Sequence, residues 1–504
     1  MRRLQRRLIE KAQEDIDMSI ELHRPYVDDV HLTCPECGKT MTRIPEVMDC
    51  WFDSGVMPYA QHHYPFENTE HFDDQEFPAD FICEGIDQTR GWFYSLMAVS
   101  TFLKGKAPYK NVLVNDLILD KHGKKMSKSK GNTVDPFQVL DQYGADAPRW
   151  YLLQSSPAWT PTKFDEDGLQ DLVSKFFGTL KNVYNFFVLY SNQDDIDPSK
   201  FDVPVAERPE LDRWIISKFN RVVKEATEYM DSYDHMRTTR AIQNFVTEDL
   251  SNWYIRRARR RFWAEGMSDD KKAVYKTTYD VLVGVAELMA PFAPFIADEM
   301  YVKLTGNESV HLAYYPVADE SLIDEKIEER MDLVRTLVGL GRGIREKERI
   351  KVRQPLSSVL VDGKYESVIS DLVPLIQEEL NIKNVDFEND LSTYMNYELK
   401  PAFSVAGPVM GSDIKAFGEY LAKEDPAKVL AAGEMELELN GNKYTVGSDM
   451  IDVKINAKEG FAVAMENNVF VILDTNLNQD LVDEGFAREV VSKVQQLRKQ
   501  KDLE

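Results

Sequence analysis

The sequence predicts a multidomain chain in which an α/β part is followed by an all-α part and then by a smaller α+β region. Three observations carry that prediction. At 504 residues the chain is too long for one hydrophobic core, and three or four domains are expected. A strand–helix–strand pattern spans residues 77–120, which is the signature of a parallel sheet. From residue 169 to about 304, apolar residues recur at helical spacing in one segment after another, as they do in a helical bundle.

The elements follow in order. Residues 1–22 read as a charged helix, and 23–48 as an irregular module around Cys34-Pro35-Glu36-Cys37-Gly38. Asp49-Cys50-Trp51-Phe52-Asp53-Ser54-Gly55 comes next, then a loop rich in aromatics and histidine from Tyr59 to Phe72. Phe77 to Cys83 is a short apolar strand ending in Glu84-Gly85-Ile86-Asp87-Gln88. A helix follows with Trp92, Leu96 and Val99 on one face, closed by Lys104-Gly105-Lys106. Asn111 to Asp120 is the second strand. Ligands in parallel sheets bind beyond the carboxyl ends of the strands, so both polar loops that follow these strands are candidate site segments. Leu169 to Tyr190 carries a wide apolar stripe, and Asp194 to Pro209 is a Pro- and Asp-rich linker. Helices are expected near 210–231, 234–264, 270–289, 292–304 and 322–348; short strands fill 357–475, and a last helix runs from 478 to 500.

The loop after the second strand is Lys125-Met126-Ser127-Lys128-Ser129-Lys130-Gly131-Asn132, preceded by a tight turn at Lys121-His122-Gly123-Lys124. Lysines on a small-residue loop are mobile point charges suited to phosphate oxygens. Glu84, Asp87 and Gln88 can accept from hydroxyl or ammonium groups, or can cap the following helix. Cys34-x-x-Cys37 has the spacing of a zinc knuckle, which supplies two of the four ligands of a structural site. Arg256-Arg257-Ala258-Arg259-Arg260-Arg261 lies between aromatics on a helix, either as an ion-paired face or as a contact for nucleic-acid phosphates. Arg345, Arg349, Lys351 and Arg353 form a second basic cluster.

Lys-Met-Ser-Lys-Ser at 125–129 is similar to the signature loop of class I aminoacyl-tRNA synthetases. Joined to Asp49–Gly55, Glu84–Tyr94, Gly144–Tyr151, Asn252–Arg257 and Leu481–Glu489, in that order, it makes the chain resemble isoleucyl-tRNA synthetases over nearly its whole length. The valyl enzymes, which share the signature loop, are the nearest alternative, and a non-catalytic tRNA-binding protein built from the same parts is another. The resemblance implies a multidomain fold in four parts. Residues 1–48 would be the remnant of a connecting insertion with the cysteine knuckle. Residues 49–168 would be the C-terminal half of a Rossmann-like catalytic domain, 169–318 a helical anticodon-binding domain, and 319–504 a small α+β domain.

The resemblance further implies ATP-dependent activation of isoleucine and transfer to tRNA(Ile). Its substrates are isoleucine and ATP with magnesium. Lys125 and Lys128 would be catalytic, and Lys125, Met126, Ser127, Lys128 and Ser129 would contact ATP. Glu84, Gly85, Asp87, Gln88, Trp51 and Trp92 would hold the aminoacyl-adenylate, the tryptophans walling an apolar pocket. Arg256, Arg257 and Arg260 would contact tRNA, and Cys34 and Cys37 would be metal ligands if zinc is bound.

None of the eight histidines stands in the His-x-Gly-His type motif of the family, and no editing domain is legible. A C-terminal portion, inactive alone, is therefore expected, with a separate N-terminal half as one candidate partner. The net charge of −24 argues against a nonspecific nucleic-acid coat. Four cysteines are too few for a disulfide framework, Met1 to Glu10 lack the apolar run of a signal peptide, and no segment is long enough to span a bilayer. A monomeric cytosolic protein is the expectation.

Overall fold

The structure, a computed structural model, describes residues 2–69, 77–424, 428–429, 433–467 and 469–501. The chain divides into two compact units. One comprises Met1–Ile196, Val222–Arg256 and Tyr279–Pro316, the other Asp197–Arg221, Arg257–Thr278 and Val317–Glu504.

In the first unit, α1 covers Arg2–Lys11 and not the predicted 1–22. The helix stops because the chain turns to pair: Ala12 bridges Leu32, and Gln13 N–H donates to His31 O at 2.8 Å. The pairing continues into a minimal hairpin of β1 (Leu32–Thr33) and β2 (Thr40–Met41), whose turn holds the cysteine pair. Helix α2 (Cys50–Gly55) follows, capped by Asp49, whose Oδ1 accepts from Trp51 N at 2.7 Å. Of the aromatic and histidine-rich stretch from Tyr59 to Phe72, residues 70–72 lie outside the described residues.

The strand–helix–strand expectation appears as β3 (Ala79–Gly85), α3 (Trp92–Lys104) and β4 (Tyr109–Asn115). The two strands are parallel, with Glu84 opposite Val114 and Gly85 opposite Asn115. Gly105 ends α3 in the left-handed region, which a glycine enters without steric penalty. The second strand is shorter than predicted. It stops at Asn115, and Ile118–Leu119 (β5) instead pairs in parallel with Thr162–Lys163 (β6).

Between β5 and β6 lie α4 (Pro136–Tyr143) and α5 (Asp146–Ser155). α5 joins this region to helices of the same unit through exchanged helix ends. Asp146 accepts from Phe295 N (3.2 Å) and Ile296 N (2.7 Å), at the start of the helix Pro294–Thr305. Arg149 donates to Pro291 O and Phe292 O, both at 3.1 Å. Arg240 donates to Gln154 O and Ser155 O, both at 3.0 Å, where α5 ends. Trp150 is fully buried between them against Phe176, Phe177 and Phe292. The Leu169–Tyr190 stripe lies on Glu166–Leu172 and Gly178–Gln193, joined by a wide turn at Val173–Phe177.

The predicted helices are found at Glu210–Asp231, His235–Asn244 running through Phe245–Ile255 into Arg256–Trp263, Asp269–Met289, Pro294–Thr305 and Glu325–Lys347. In the second unit, Glu325–Lys347 packs on a four-stranded sheet made of Phe461–Glu466, Val469–Asp474, Leu356–Asp362 and Ile382–Glu388, in that order. The two last-named strands are parallel and the other neighbours antiparallel. The final helix is Gln479–Gln500.

The proposed second basic cluster is dispersed by the fold. Arg345 is buried, and its guanidinium donates to Lys351 O (3.1 Å), Gln354 O (2.9 Å) and Asn381 O (3.1 Å). Burial lowers its pKa to about 10. Lys351 and Arg353 instead pair with Glu489. Elsewhere in this unit Asp413 accepts from Asn440, Asn442 and Tyr444 at 2.8–3.0 Å, tying the Asn440–Gly441 turn to a helix start.

Arg345→Met leaves three carbonyls without their donor and is expected to cost about 2–4 kcal/mol in urea unfolding. The hydrogen bonds from Asn440, Asn442 and Tyr444 hold the Asp413 carboxyl below the usual range. Its stabilisation is therefore complete above about pH 4, the unfolded carboxyl value, and is lost as pH falls through the lower folded value. Urea curves at neutral pH and near pH 3 should show the gap between wild type and Asp413→Asn narrowing on acidification.

Candidate active site

The predicted residues form two groups held by separate sets of contacts, one after β3 of the parallel pair and one after β5. The first is built on the turn Ile86–Arg90, which follows β3. Gln88 is a helix cap here: its Oε1 accepts from Trp92 N at 2.9 Å and its Nε2 donates to Asp87 Oδ2 at 3.2 Å. Glu84 and Asp87 are exposed. Trp92 Nε1 donates to Ser54 O at 3.1 Å, which ties α3 to α2. Trp51, 44% exposed, lies over Gly91, where an added Cβ would sit 3.1 Å from its Cη2 and 2.7 Å from Gln88 Oε1. A Cβ at Gly55 would similarly lie 2.9 Å from the Ser95 backbone. The structure thus brings Trp51, Gln88 and Trp92 together, and two close approaches at glycine make that possible. Both glycines stand beside the tryptophan-bearing segments, which is the signal the sequence offered.

The second group is the lysine loop. Gly123 turns it with φ of +77°, and Asp120 N–H donates to Lys124 O at 2.9 Å. Asp120 Oδ1 accepts from His122 N (3.0 Å) and Lys124 N (2.8 Å). Asn132 Nδ2 donates to Asp120 Oδ2 (2.8 Å) and to Lys125 O (3.3 Å), while its Oδ1 accepts from Ser127 N at 3.0 Å. These bonds, the one from Asn132 first among them, hold the Asp120 carboxyl below the usual range. Lys128–Lys130 form a short turn closed by Lys130 N to Ser127 O at 3.1 Å and ended by Gly131 at φ +66°. Ser127 Oγ and Ser129 Oγ are 3.2 Å apart. Met126 and Ser127 are half-buried, whereas Lys125, Lys128, Ser129 and Lys130 are exposed. A cavity of about 440 Å³ beside the loop is lined by Asp120, His122, Asn132 and Asp165–Asp167, not by the first group. The roles of Asp120 and Asn132 were not anticipated from the sequence.

Residues 4–165 match the family model of class I tRNA synthetases (I, L, M and V), and residues 212–360 match the anticodon-binding domain of tRNA ligases. The chain carries a class I tRNA synthetase domain followed by an anticodon-binding domain. It is 46% identical over 519 residues to an isoleucine–tRNA ligase of Clostridium novyi, covering 98% of this chain and 49% of that protein. Against the isoleucine–tRNA ligases of Clostridium tetani and Bacillus thuringiensis (strain Al Hakam) the identity is 45% in each case, over 97% and 96% of this chain. The chain spans about half the length of the curated relatives it matches.

The arginine run is divided by its partners. In the second unit Arg257, 11% exposed at its side chain, is engaged by Glu378 at 3.1 Å and by the buried Glu379, which also pairs with Arg342. Arg261 is clamped bidentately by Asp212 at 2.6 and 2.7 Å and bonds to Asp270 at 3.0 Å. Arg256 and Arg259 are exposed, and Arg260, 81% exposed, meets the other oxygen of Glu378 at 3.1 Å. Arg257 therefore has a structural partner set within the protein, whereas Arg260 faces solvent.

In the knuckle, Gly38 takes φ +69° and its N–H donates to Cys34 O at 3.0 Å, while Cys34 N–H donates to Lys39 O at 2.9 Å. Hydrogen bonds from the Cys37 and Glu36 backbones, and from the Cys37 side chain, lower the Cys34 pKa. That suits a thiolate ligand. Among the described residues, however, no group of three or more His, Cys, Asp or Glu could hold a metal ion. Two thiols do not by themselves fit the closed four-ligand zinc site. No described helix is long and apolar enough to cross a membrane.

Gly91→Ala forces either Trp51 or Gln88 to move, and is expected to destabilise the first unit by about 1–3 kcal/mol in a urea titration.

Proposed function

We propose that this chain serves the ligation of isoleucine to tRNA(Ile), driven by ATP. The observation that carries the reading is the 43–46% identity, over almost all of the chain, to proteins named isoleucine–tRNA ligase. In the first step the isoleucine carboxylate attacks the α-phosphorus of ATP, and the bond to the leaving pyrophosphate breaks. In the second a ribose hydroxyl of tRNA attacks the activated carbonyl, releasing AMP. Both steps are governed by positioning and by stabilisation of developing charge. Lys125 and Lys128 supply positive charge for the departing pyrophosphate, with Met126, Ser127 and Ser129 forming the loop that carries them. Magnesium, bound with ATP, would neutralise phosphate charge.

Glu84 and Asp87 accept from ribose hydroxyls or from the isoleucine ammonium. Gly85 keeps the strand end open, and Gln88 orients the turn by capping α3. Trp51 and Trp92 wall the apolar side-chain pocket, which by itself separates isoleucine from valine poorly. Arg256 and Arg260 contact the tRNA backbone, while Arg257 holds the helix that presents them. Residues 49–168 and 169–318 are read as the catalytic and anticodon-binding parts, with 1–48 and 319–504 flanking them.

The chain should bind tRNA(Ile) with an affinity that falls as salt rises. Arg256→Ala with Arg260→Ala should lower that affinity and reduce the log–log salt slope by about 1.5–2. Equal affinity for an unrelated RNA hairpin, unaffected by the two substitutions, would overturn the reading. In a ligase of the relatives' full length carrying this sequence, Lys128→Ala should slow isoleucine-dependent ATP–pyrophosphate exchange about 100-fold or more.

A further inference from the structure

We propose that Asp120 and Asn132 form a latch that positions Lys125 and Lys128. This rests on the reading of the loop as the ATP contact. One side chain, Asn132, engages the peptide groups on both sides of Met126. Its Oδ1 takes the Ser127 N–H, and its Nδ2 lies 3.3 Å from Lys125 O. The same Nδ2 donates to Asp120 at the exit of β5. Asp120 in turn fixes the preceding turn through the N–H groups of His122 and Lys124. The first lysine is therefore tied to the sheet: Leu119 also bridges Lys125 directly. The second lysine is not. Lys128 rides on a turn closed by its own backbone bonds and by the Ser127–Ser129 hydroxyl contact, between Ser127 and a left-handed Gly131.

The latch makes the loop two parts with different freedom. Lys125 has a fixed backbone, and the Lys128–Lys130 turn can swing about Ser127 and Gly131 without unravelling the segment. The chemistry demands these two residue types. Asn132 must accept at one atom and donate at the other, and Asp120 must accept three times. A carboxylate at position 132 would face the carboxylate of Asp120 and lose the donor. Exchanging the pair, Asp120→Asn with Asn132→Asp, keeps an amide donor between them and an acceptor for the Ser127, His122 and Lys124 N–H groups, and gives up only the longer, 3.3 Å bond to Lys125 O.

Limited trypsin digestion of the folded chain tests the latch, with cut sites assigned by mass spectrometry. Asn132→Asp is expected to speed cleavage after Lys125, Lys128 and Lys130 about tenfold, with the thermal midpoint unchanged. The exchanged pair should return the rate to within about twofold of wild type, a rescue that generic loosening does not produce. Unchanged cleavage in Asn132→Asp, or an exchanged pair as labile as Asn132→Asp, overturns the latch. If Asn132→Asp melts early, Asn132→Ala replaces it as the single variant, with acceleration expected and its absence decisive. Millimolar Mg-ATP should slow cleavage of the wild type. Failure to slow it overturns the nucleotide reading of the loop, while the latch is still judged by the variants alone.

Discussion

Helix ends are the constraint on which the first unit depends. Every helix leaves N–H groups unpaired at one end and carbonyls at the other, and burying an end without partners is costly. Here Asp146–Ser155 resolves the problem for itself and its neighbours. It gives a carboxylate to the start of one helix, a guanidinium to the carbonyls before it, and receives a guanidinium at its own end. Directional bonds of this kind fix rotation and translation where apolar packing around Trp150 alone fixes only proximity.

The second unit uses a different device. Its arginines are not a uniform surface charge: Arg257 and Arg261 are held by Glu379 and Asp212, carboxylates buried beneath them. Breaking a buried pair strands a charge in a poorly solvating environment, so such pairs hold helices in register even where their net contribution to stability is small. Arg345 makes the same point with neutral partners: three carbonyls from two chain segments converge on one planar donor set.

Much of the fold was legible because it is periodic. The parallel strand pair, the helix between them and the run of helices from 166 to 347 all declare themselves through apolar spacing. The first helix was overread because its charged pattern continues past Lys11, while the strand partner that ends it, Leu32, lies 20 residues on. The site was legible only in part. Its residue types and order were plain, but the division of labour within them depends on partners distant in sequence: Glu378 lies 121 residues beyond Arg257. No local pattern distinguishes a buried arginine from an exposed one on the same helix. Gln88 carried both readings at once, and the structure gives it to helix capping.

Gly91 joins two things that are often separable. The absence of a side chain there lets the Trp51 ring rest on backbone at the point where α3 begins, and Trp92 fixes the same helix to α2. The residue proposed to wall the apolar pocket thus also touches the footing of the helix. Shortening Trp51 would uncover that backbone to water as well as add volume, so on the proposed reading side-chain selection is tied to the seating of α3.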